Sequence, residues 1–337
     1  MIIKDINWFC KYNFRENIGK QEDYMTLHHL EIFVAVCQEK TTHGAAKKLN
    51  LSQPAVSKGI SELEKYYQVR LFERIRQRLY LTAAGEKMRI HALRVLETFH
   101  QMESEIYQEG QKQHIRIGAS VSVGTRLLPP LLKKLGEYSE EITYEATVDN
   151  TSTIEHMVEE YALDMALVEG TVNSSDLVVR DMMEDELVIA SRSGHPLAQK
   201  ENITIQDLEK YPFISREGGS SARNQLEQYF VESGIKMVPI YSCSNTETMK
   251  QALLYTEGYA ILSKMMVEQE LKEGKLVALP LGQREFKRTI RLIYHKNKFL
   301  SPVMQIFLEL LEEQIKNSSH DTISQNDQNG IHFMPAK

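Results

Sequence analysis

Between positions 52 and 58 the chain reads Ser-Gln-Pro-Ala-Val-Ser-Lys. The carboxamide of Gln53 offers a donor and an acceptor side by side, which matches an adenine edge, and the small apolar surfaces of Pro54 and Ala55 suit a thymine methyl. Ser52, Ser57 and Lys58 are groups of the kind that hold phosphate. Further on, Arg74, Arg76 and Arg78 stand in a short stretch with Ile75, Leu79, Tyr80 and Leu81 between and after them. Such arginines can line a phosphate backbone or a minor groove. Each of these residues also has a plainer reading. Ser52 can be only a helix cap, Arg74 or Arg78 can be paired with a carboxylate, and nearby Lys65 reads as solvated.

The elements needed to present these groups are legible around them. Leu27, Leu30, Phe33, Val34 and Cys37 recur at helical spacing and predict a helix over Leu27–Glu39. Thr41 can cap a short second helix carrying Ala45, Ala46 and Leu49, and Thr41 belongs with the residues expected at DNA. Asn50-Leu51-Ser52 forms a turn. Ser52 then caps a third helix, with Pro54 in its first turn, where a missing N–H is harmless. Val56, Ile60 and Leu63 point to the core. Three short helices in this span match a helix-turn-helix, and the alternation from Arg74 to Leu81 predicts a small hairpin, or wing, behind it.

Charge is distributed accordingly. The chain carries −6 overall, yet residues 25–90 hold 11 Lys and Arg against 6 Asp and Glu. A basic module on an acidic body is expected where one part approaches phosphate. Residues 1–24 show no period, and Met25-Thr26-Leu27 looks like a second start, so these 24 residues read as an extension outside the fold. Lys4, Asp5 and Asn7 interrupt Ile2, Ile3, Ile6 and Trp8, which leaves no secretory signal. No run reaches the roughly 20 apolar residues of a membrane span, so a cytoplasmic location and no membrane partner are expected. Cys10, Cys37 and Cys243 are too few and scattered for a disulfide framework or a metal site. They read as small buried hydrophobes, with a redox role for Cys243 as the alternative.

After the wing, Thr82 can cap a long helix to about Glu109. Met88, Ala92, Val95, Phe99, Met102 and Ile106 are spaced 4-3-4-3-4, an a/d seam that needs a partner surface. A second copy of the same helix is the simplest partner; packing on the chain's own body is the alternative. Gly110-Gln111-Lys112-Gln113 reads as a hinge. Beyond it strands and helices alternate: strands at Ile115–Ala119, Thr143–Val148 and Asp164–Val168, with helices at Leu127–Leu135 and Ile154–Tyr161. A second round has strands at Glu186–Ser191, Phe213–Ser215, Ile240–Cys243 and Tyr259–Leu262, and helices at Asn224–Ser233 and Thr246–Tyr255. Thr289–Tyr294 and an amphipathic helix from Ser301-Pro302 close the pattern, and residues 318–337 read as a disordered tail. Two α/β lobes imply a cleft.

The stretch from Leu27 to Gly85 resembles the DNA-binding domain of LysR-type transcriptional regulators. The resemblance rests on Leu30, Phe33, Val36, Ala45-Ala46, Leu49, Ser52-Gln53-Pro54-Ala55-Val56-Ser57, Ile60, Leu63-Glu64, Val69, Leu71-Phe72, Arg74, Arg78 and Leu81-Thr82-x-x-Gly85. It continues more loosely to about residue 300, through Ile117-Gly118-Ala119-Ser120, Leu163-Asp164-x-Ala166-Leu167-Val168-Glu169-Gly170 and Arg216-Glu217-x-Gly219-Ser220. Lys40, Gln68 and Tyr161 stand where the family commonly has glycine, and Ala222 where threonine is common. At Gln68 a left-handed backbone would cost of order 1 kcal/mol.

The resemblance implies an α+β multidomain chain: a winged helix-turn-helix over 25–85, a dimerising linker helix and hinge over 86–112, and a two-lobed, periplasmic-binding-protein-like effector domain over 113–317. Lobe I would take about 113–184 and 285–317, lobe II about 185–284. Ligands of such folds bind where strand C-termini and helix N-termini face the cleft. The effector-binding candidates are therefore Ser120, Ser122, Asn150, Thr151, Ser215, Glu217, Ser220, Asn245 and Thr246, and any single serine among them can equally be a plain helix cap. Gly118-Ala119-Ser120-x-Ser122-x-Gly124 looks most like members answering to small anions, where carboxylate, phosphate or a sulfur anion would fit. Expected partners are promoter DNA, that effector, further copies of the chain as dimer and tetramer, and RNA polymerase. No cofactor or metal is expected. Enzymes are disfavoured, since a P-loop, a Rossmann fingerprint, a zinc motif and a nucleophile elbow are all missing. A transport receptor shares the two lobes but would need an export signal and no basic module.

Overall fold

The computed structural model describes residues 25–107, 113–200, 202–235, 239–282 and 285–328. The expected extension 1–24 and the Gly110–Lys112 part of the hinge lie outside the described residues. The chain divides after Tyr107 into two compact units.

The first unit opens with helices α1 (Leu27–Glu39), α2 (Thr42–Lys48) and α3 (Gln53–Tyr67). Thr26, Thr41 and Ser52 cap them through their hydroxyls. A hairpin follows, β1 (Phe72–Ile75) and β2 (Arg78–Leu81), and then helix α4 (Ala83–Tyr107), capped by Thr82. Leu30, Phe33, Val36, Ala45, Val56, Ile60 and Leu63 form one core with Leu71, Phe72, Ala92 and Leu96. Glu64 ties the hairpin to α3 by accepting the N–H groups of Leu71 at 2.7 Å and Phe72 at 3.2 Å. Any side chain at Gly85 would strike the Leu71 carbonyl, so the Thr82-x-x-Gly85 spacing joins a cap to a close helix–hairpin contact. Lys40, Gln68 and Tyr161 are all left-handed, with φ of 54°, 54° and 55°. The first two each close a helix, the position where glycine is commonest.

The second unit is built on β3 (Gln113–Ser120), β4 (Ile142–Asp149), β5 (Met165–Glu169), β6 (Leu177–Arg192), β7 (Ile214–Arg216), β8 (Tyr241–Cys243), β9 (Ala260–Ser263), β10 (Leu276–Ala278) and β11 (Phe286–His295). Its helices are α5 (Val121–Arg126), α6 (Leu128–Tyr138), α7 (Thr151–Glu159), α8 (Ile205–Leu208), α9 (Ser221–Glu232), α10 (Thr246–Tyr255), α11 (Lys264–Lys272) and α12 (Pro302–Gln328). One mixed sheet has the order β10-β6-β11-β5-β3-β4, with β9 also on β6; β7 and β8 form a separate parallel pair. Two apolar clusters draw on residues 115–177 and 290–311. Two others draw on residues 187–286.

Helices α5, α8 and α11 and strand β10 were not foreseen in the sequence, and two foreseen elements differ in extent. Strand β6 begins at Leu177 rather than Glu186 and, paired along β11, carries the sheet from one lobe into the other. Asp181, Glu184 and Asp185 interrupt its apolar pattern, but Asp181 pairs with Arg291 and Asp185 with Arg288, so the strand continues through them. Helix α12 runs to Gln328, past Ser318, where the tail is expected to begin. Extending an existing helix costs far less than starting one, so a polar run of modest propensity can follow it. Residues 329–337 of the expected tail lie outside the described residues.

Candidate nucleic-acid interface and ligand cleft

On the first unit, Ser52, Gln53, Pro54, Ala55, Ser57 and Lys58 are all exposed, while Val56, Gly59 and Ile60 behind them are buried. Helical periodicity alone produces this split: the apolar positions fix the helix and turn its polar first turn outward. Ser52 spends its oxygen on the Ala55 N–H at 3.3 Å, and Thr41 does the same for Gly44 at 3.0 Å. Their side chains are caps, which leaves their hydroxyl protons for other acceptors. Gln53 donates to Thr42 Oγ1 at 3.3 Å. Lys58 lies 3.4 Å from Glu62, whose other oxygen meets His29 at 3.1 Å. The His29 hydrogen bond holds the Glu62 carboxyl below its ordinary range.

The hairpin is a two-sided wing. Arg74 pairs across from Leu79 and Ile75 from Arg78, so Arg74 and Arg78 project from opposite faces. Arg76 sits in the turn with φ 58°. All three are exposed, and no carboxylate pairs with them among the described residues. The wing therefore offers a cation on each face and one at its tip.

The linker seam is divided. Ala92 is 2% exposed inside the module's own core, where Leu96 joins it and Met88 packs half-buried. Val95 and Met102 stay 45% and 47% exposed, and Phe99 is half-buried. The expectation that all six residues form one intermolecular seam is thus corrected at Ala92, which α1 already covers. The side chain of Ile106 lies outside the described residues.

In the second unit the C-terminal ends of β4, β3 and β5 lie side by side, with Ser120 in register with Asp149. Ser120, Ser122 and Thr151 are buried there. Thr151 Oγ1 donates to the Glu169 carbonyl at 3.1 Å, and Ser122 Oγ accepts from Arg288 at 3.1 Å. Arg288 is held by Glu169 at 3.0 Å and Asp185 at 2.7 Å, and Ser263 donates to Asp185 at 2.7 Å. The loop before α9 faces this edge. A Cβ at Gly219 would lie 3.1 Å from Asn150 Oδ1 and 3.2 Å from Ser152 Oγ, and one at Gly170 would strike Ser221 Oγ. Asn150 and Ser152 thus lie against Gly219, and Gly170 against Ser221, which brings the loop before α9 onto the start of α7.

The other candidates differ among themselves. Glu217 and Asn245 line an open groove of about 650 Å³ with Tyr241, Cys243 and Thr248. Asn150 and Asn245 are helix caps, accepting from the N–H groups of Thr153 at 3.0 Å and Thr248 at 2.8 Å. Thr246 is buried at the start of α10. Glu217 is clamped by Arg216 through two bonds of 2.8 Å. The hydroxyls of Ser120 and Ser215, each residue 1% exposed, are buried with no partner among the described residues. Burial pushes the Cys243 thiol up, and the Cys37 thiol to about 12. A protonated thiol is a poor nucleophile, which weighs against a redox role at Cys243.

The sequence reading missed Glu169, Asp185, Ser263 and Arg288. One signal was available: Glu169 closes a strand of wholly buried residues, Met165–Val168, and a charge in such a place needs a buried partner.

Comparison with known proteins places this geometry. The family described as LysR substrate binding domain matches residues 108–316, and that described as bacterial regulatory helix-turn-helix protein, lysR family, matches 27–86. The HTH-type transcriptional regulator CysL of Bacillus subtilis is 29% identical over 86% of this chain and 97% of its own length. Among solved structures, the Synechocystis CcmR regulatory domain in complex with 2-PG superposes with a TM-score of 0.56 at 26% identity, covering 60% of this chain and 98% of that one. Full-length CbnR complexed with its target DNA gives 0.55 at 19% identity, over 86% and 99%, and shares the fold. These matches are to transcriptional regulators rather than enzymes. Among the described residues no helix is long and apolar enough to cross a membrane.

Proposed function

The chain belongs to the LysR family of transcriptional regulators, and from that premise we propose how its own residues divide the work. The exposed first turn of α3 enters a major groove. Gln53 reads a base edge, Pro54 and Ala55 touch a thymine methyl, and Ser52, Ser57, Lys58 and Thr41 hold phosphate. The wing enters the neighbouring groove, with Arg74 and Arg78 facing its two phosphate walls and Arg76 at its tip. Two copies paired through Val95, Phe99 and Met102 present two such modules to an inverted repeat about one helical turn apart. Dimers pair into tetramers on promoter DNA and act on RNA polymerase in the cytoplasm. The domain limits are those of the sequence reading: 25–85, 86–112 and 113–317.

The effector of this chain is a small anion bound between the lobes. The CcmR regulatory domain is in complex with 2-PG, which supports a small-molecule effector for the corresponding domain here. The buried charges support a particular way of holding it. Arg288 is already matched by Glu169 and Asp185, and Arg216 by Glu217. An anion there is held by neutral dipoles: the hydroxyls of Ser120 and Ser215 and the N–H groups at the starts of α7 and α9.

The observation that carries the DNA reading is the exposed first turn of α3 together with three wing arginines that no carboxylate pairs among the described residues. Footprinting of the purified chain on genomic DNA tests it. Protection of paired half-sites about one helical turn apart is expected; binding indifferent to sequence at low salt overturns it.

A further inference from the structure

Thr42 stands next to the base-reading surface without an obvious task. It is the first residue of α2, yet the cap of that helix is supplied by Thr41, whose Oγ1 accepts the Gly44 N–H at 3.0 Å. The Thr42 hydroxyl instead accepts from Gln53 Nε2 at 3.3 Å, across the turn between the two helices. Gln53 is exposed and Thr42 half-buried, so the flexible member of the pair is tethered to the better-fixed one.

We propose that Thr42 is a positioning residue for sequence readout: its hydroxyl holds the Gln53 carboxamide on the surface of α2 before DNA arrives. This rests on the reading of Gln53 as the base-contacting residue, and adds a specificity determinant on a helix that does not itself enter the groove. A free glutamine side chain must give up several rotors to make a bidentate contact. The tether fixes part of that motion in advance, while Gln53 keeps one N–H and its Oε1 for an adenine edge. Ordering a side chain before binding in this way is worth about three- to tenfold in affinity. The gain applies only where the matching base is present, because a mismatched base forms no bidentate contact. Thr42 therefore sharpens preference at one position of the site and leaves general attraction to DNA unchanged.

The test is selection of binding sites from a random duplex pool by the full chain, followed by titrations of the selected and the unselected DNA at several salt concentrations. Gln53→Ala identifies the base pairs that Gln53 reads. Thr42→Val is expected to lower preference at those same base pairs about three- to tenfold, with unaltered binding to unselected DNA, salt slope and melting temperature. Thr42→Ser, which restores the hydroxyl, is expected to recover wild-type preference. Combined with Gln53→Ala, Thr42→Val should have no further effect. The proposal is overturned if Thr42→Val leaves those base pairs untouched, if it alters others instead, or if Thr42→Ser fails to rescue. A Gln53→Ala variant with wild-type preferences overturns the assignment of Gln53 itself, an outcome distinct from the failure of Thr42 alone.

Discussion

The opposed faces of the wing make a quantitative prediction about salt. Each phosphate neutralised by a protein cation contributes about 0.9 to the slope of log affinity against log salt. Arg74 and Arg78 face away from each other, across the register Arg74↔Leu79 and Ile75↔Arg78. If the wing enters a groove, its faces meet the two phosphate walls, and both arginines count. If it lies flat on one backbone, only one face counts. Arg74→Ala and Arg78→Ala should then each lower the slope by about 0.9 per wing, and the triple change with Arg76→Ala by about 2.7. Between 50 and 200 mM salt, a fourfold range, the wild-type wing should lose about 1.6 decades of affinity more than the triple variant. Fluorescence anisotropy on a labelled operator at four or five salt concentrations measures this, with unrelated duplex as a second ligand. A slope that responds to only one of Arg74 and Arg78 would refute groove entry. An unchanged slope in the triple variant would refute phosphate contact by the wing altogether.

Three further expectations follow from burial, charge and backbone geometry. Val95→Glu with Met102→Glu should turn the dimer into monomer in sedimentation while the N-terminal module keeps its melting temperature. Ala92→Glu should instead lower that temperature, since it drives a charge into a core position 2% exposed. At Asp164, burial works to raise the carboxyl, but the Arg116 hydrogen bond and the charges of Lys298 and Arg116 outweigh it and hold the group below its ordinary range. A carboxyl lowered in the folded state contributes stability above the unfolded value, and that contribution is lost as pH falls through the lowered one. Asp164→Asn should therefore cost about 3 kcal/mol at pH 7 in urea titrations, and its deficit should shrink as pH drops below about 4. Lys40→Gly and Gln68→Gly should be neutral or stabilise by up to about 0.5 kcal/mol, left-handed strain being traded against chain entropy. Tyr161→Gly shares the backbone angle but should cost about 3 kcal/mol, because the Tyr161 ring is buried and its hydroxyl meets His295 at 2.8 Å.

How far the sequence could be read depended on the range of the interactions involved. Helix α1 falls on Leu27–Glu39 as its periodicity predicts, and Thr41, Ser52 and Thr82 cap as expected, because a cap is decided within three residues of itself. The linker seam shows where local spacing stops deciding. Its 4-3-4-3 pattern says that a stripe must be covered, but not by what. The first turns of α4 go to α1 through Met88, Ala92 and Leu96, a residue outside the seam, since a straight helix of 3.6 residues per turn drifts off a 3.5-residue repeat. The charge cluster was still less accessible, with Arg288 lying 166 residues from Ser122 and 103 from Asp185 along the chain.

The ligand candidates looked alike in sequence, because serine, threonine and asparagine before a helix serve a cap and a ligand equally well. The fold separates them by what each side chain already does. Asn150 and Asn245 spend their oxygens on Thr153 and Thr248, Glu217 is held by Arg216, and Thr151 donates to the Glu169 carbonyl. Among the described residues, Ser120 and Ser215 are buried with no partner for their hydroxyls. A buried hydroxyl without a partner costs about 1–3 kcal/mol, so a molecule that satisfies either one recovers that energy on binding. This energetic asymmetry ranks Ser120 and Ser215 above the other candidates, and it rests on who bonds to whom across the fold, which no window of sequence contains.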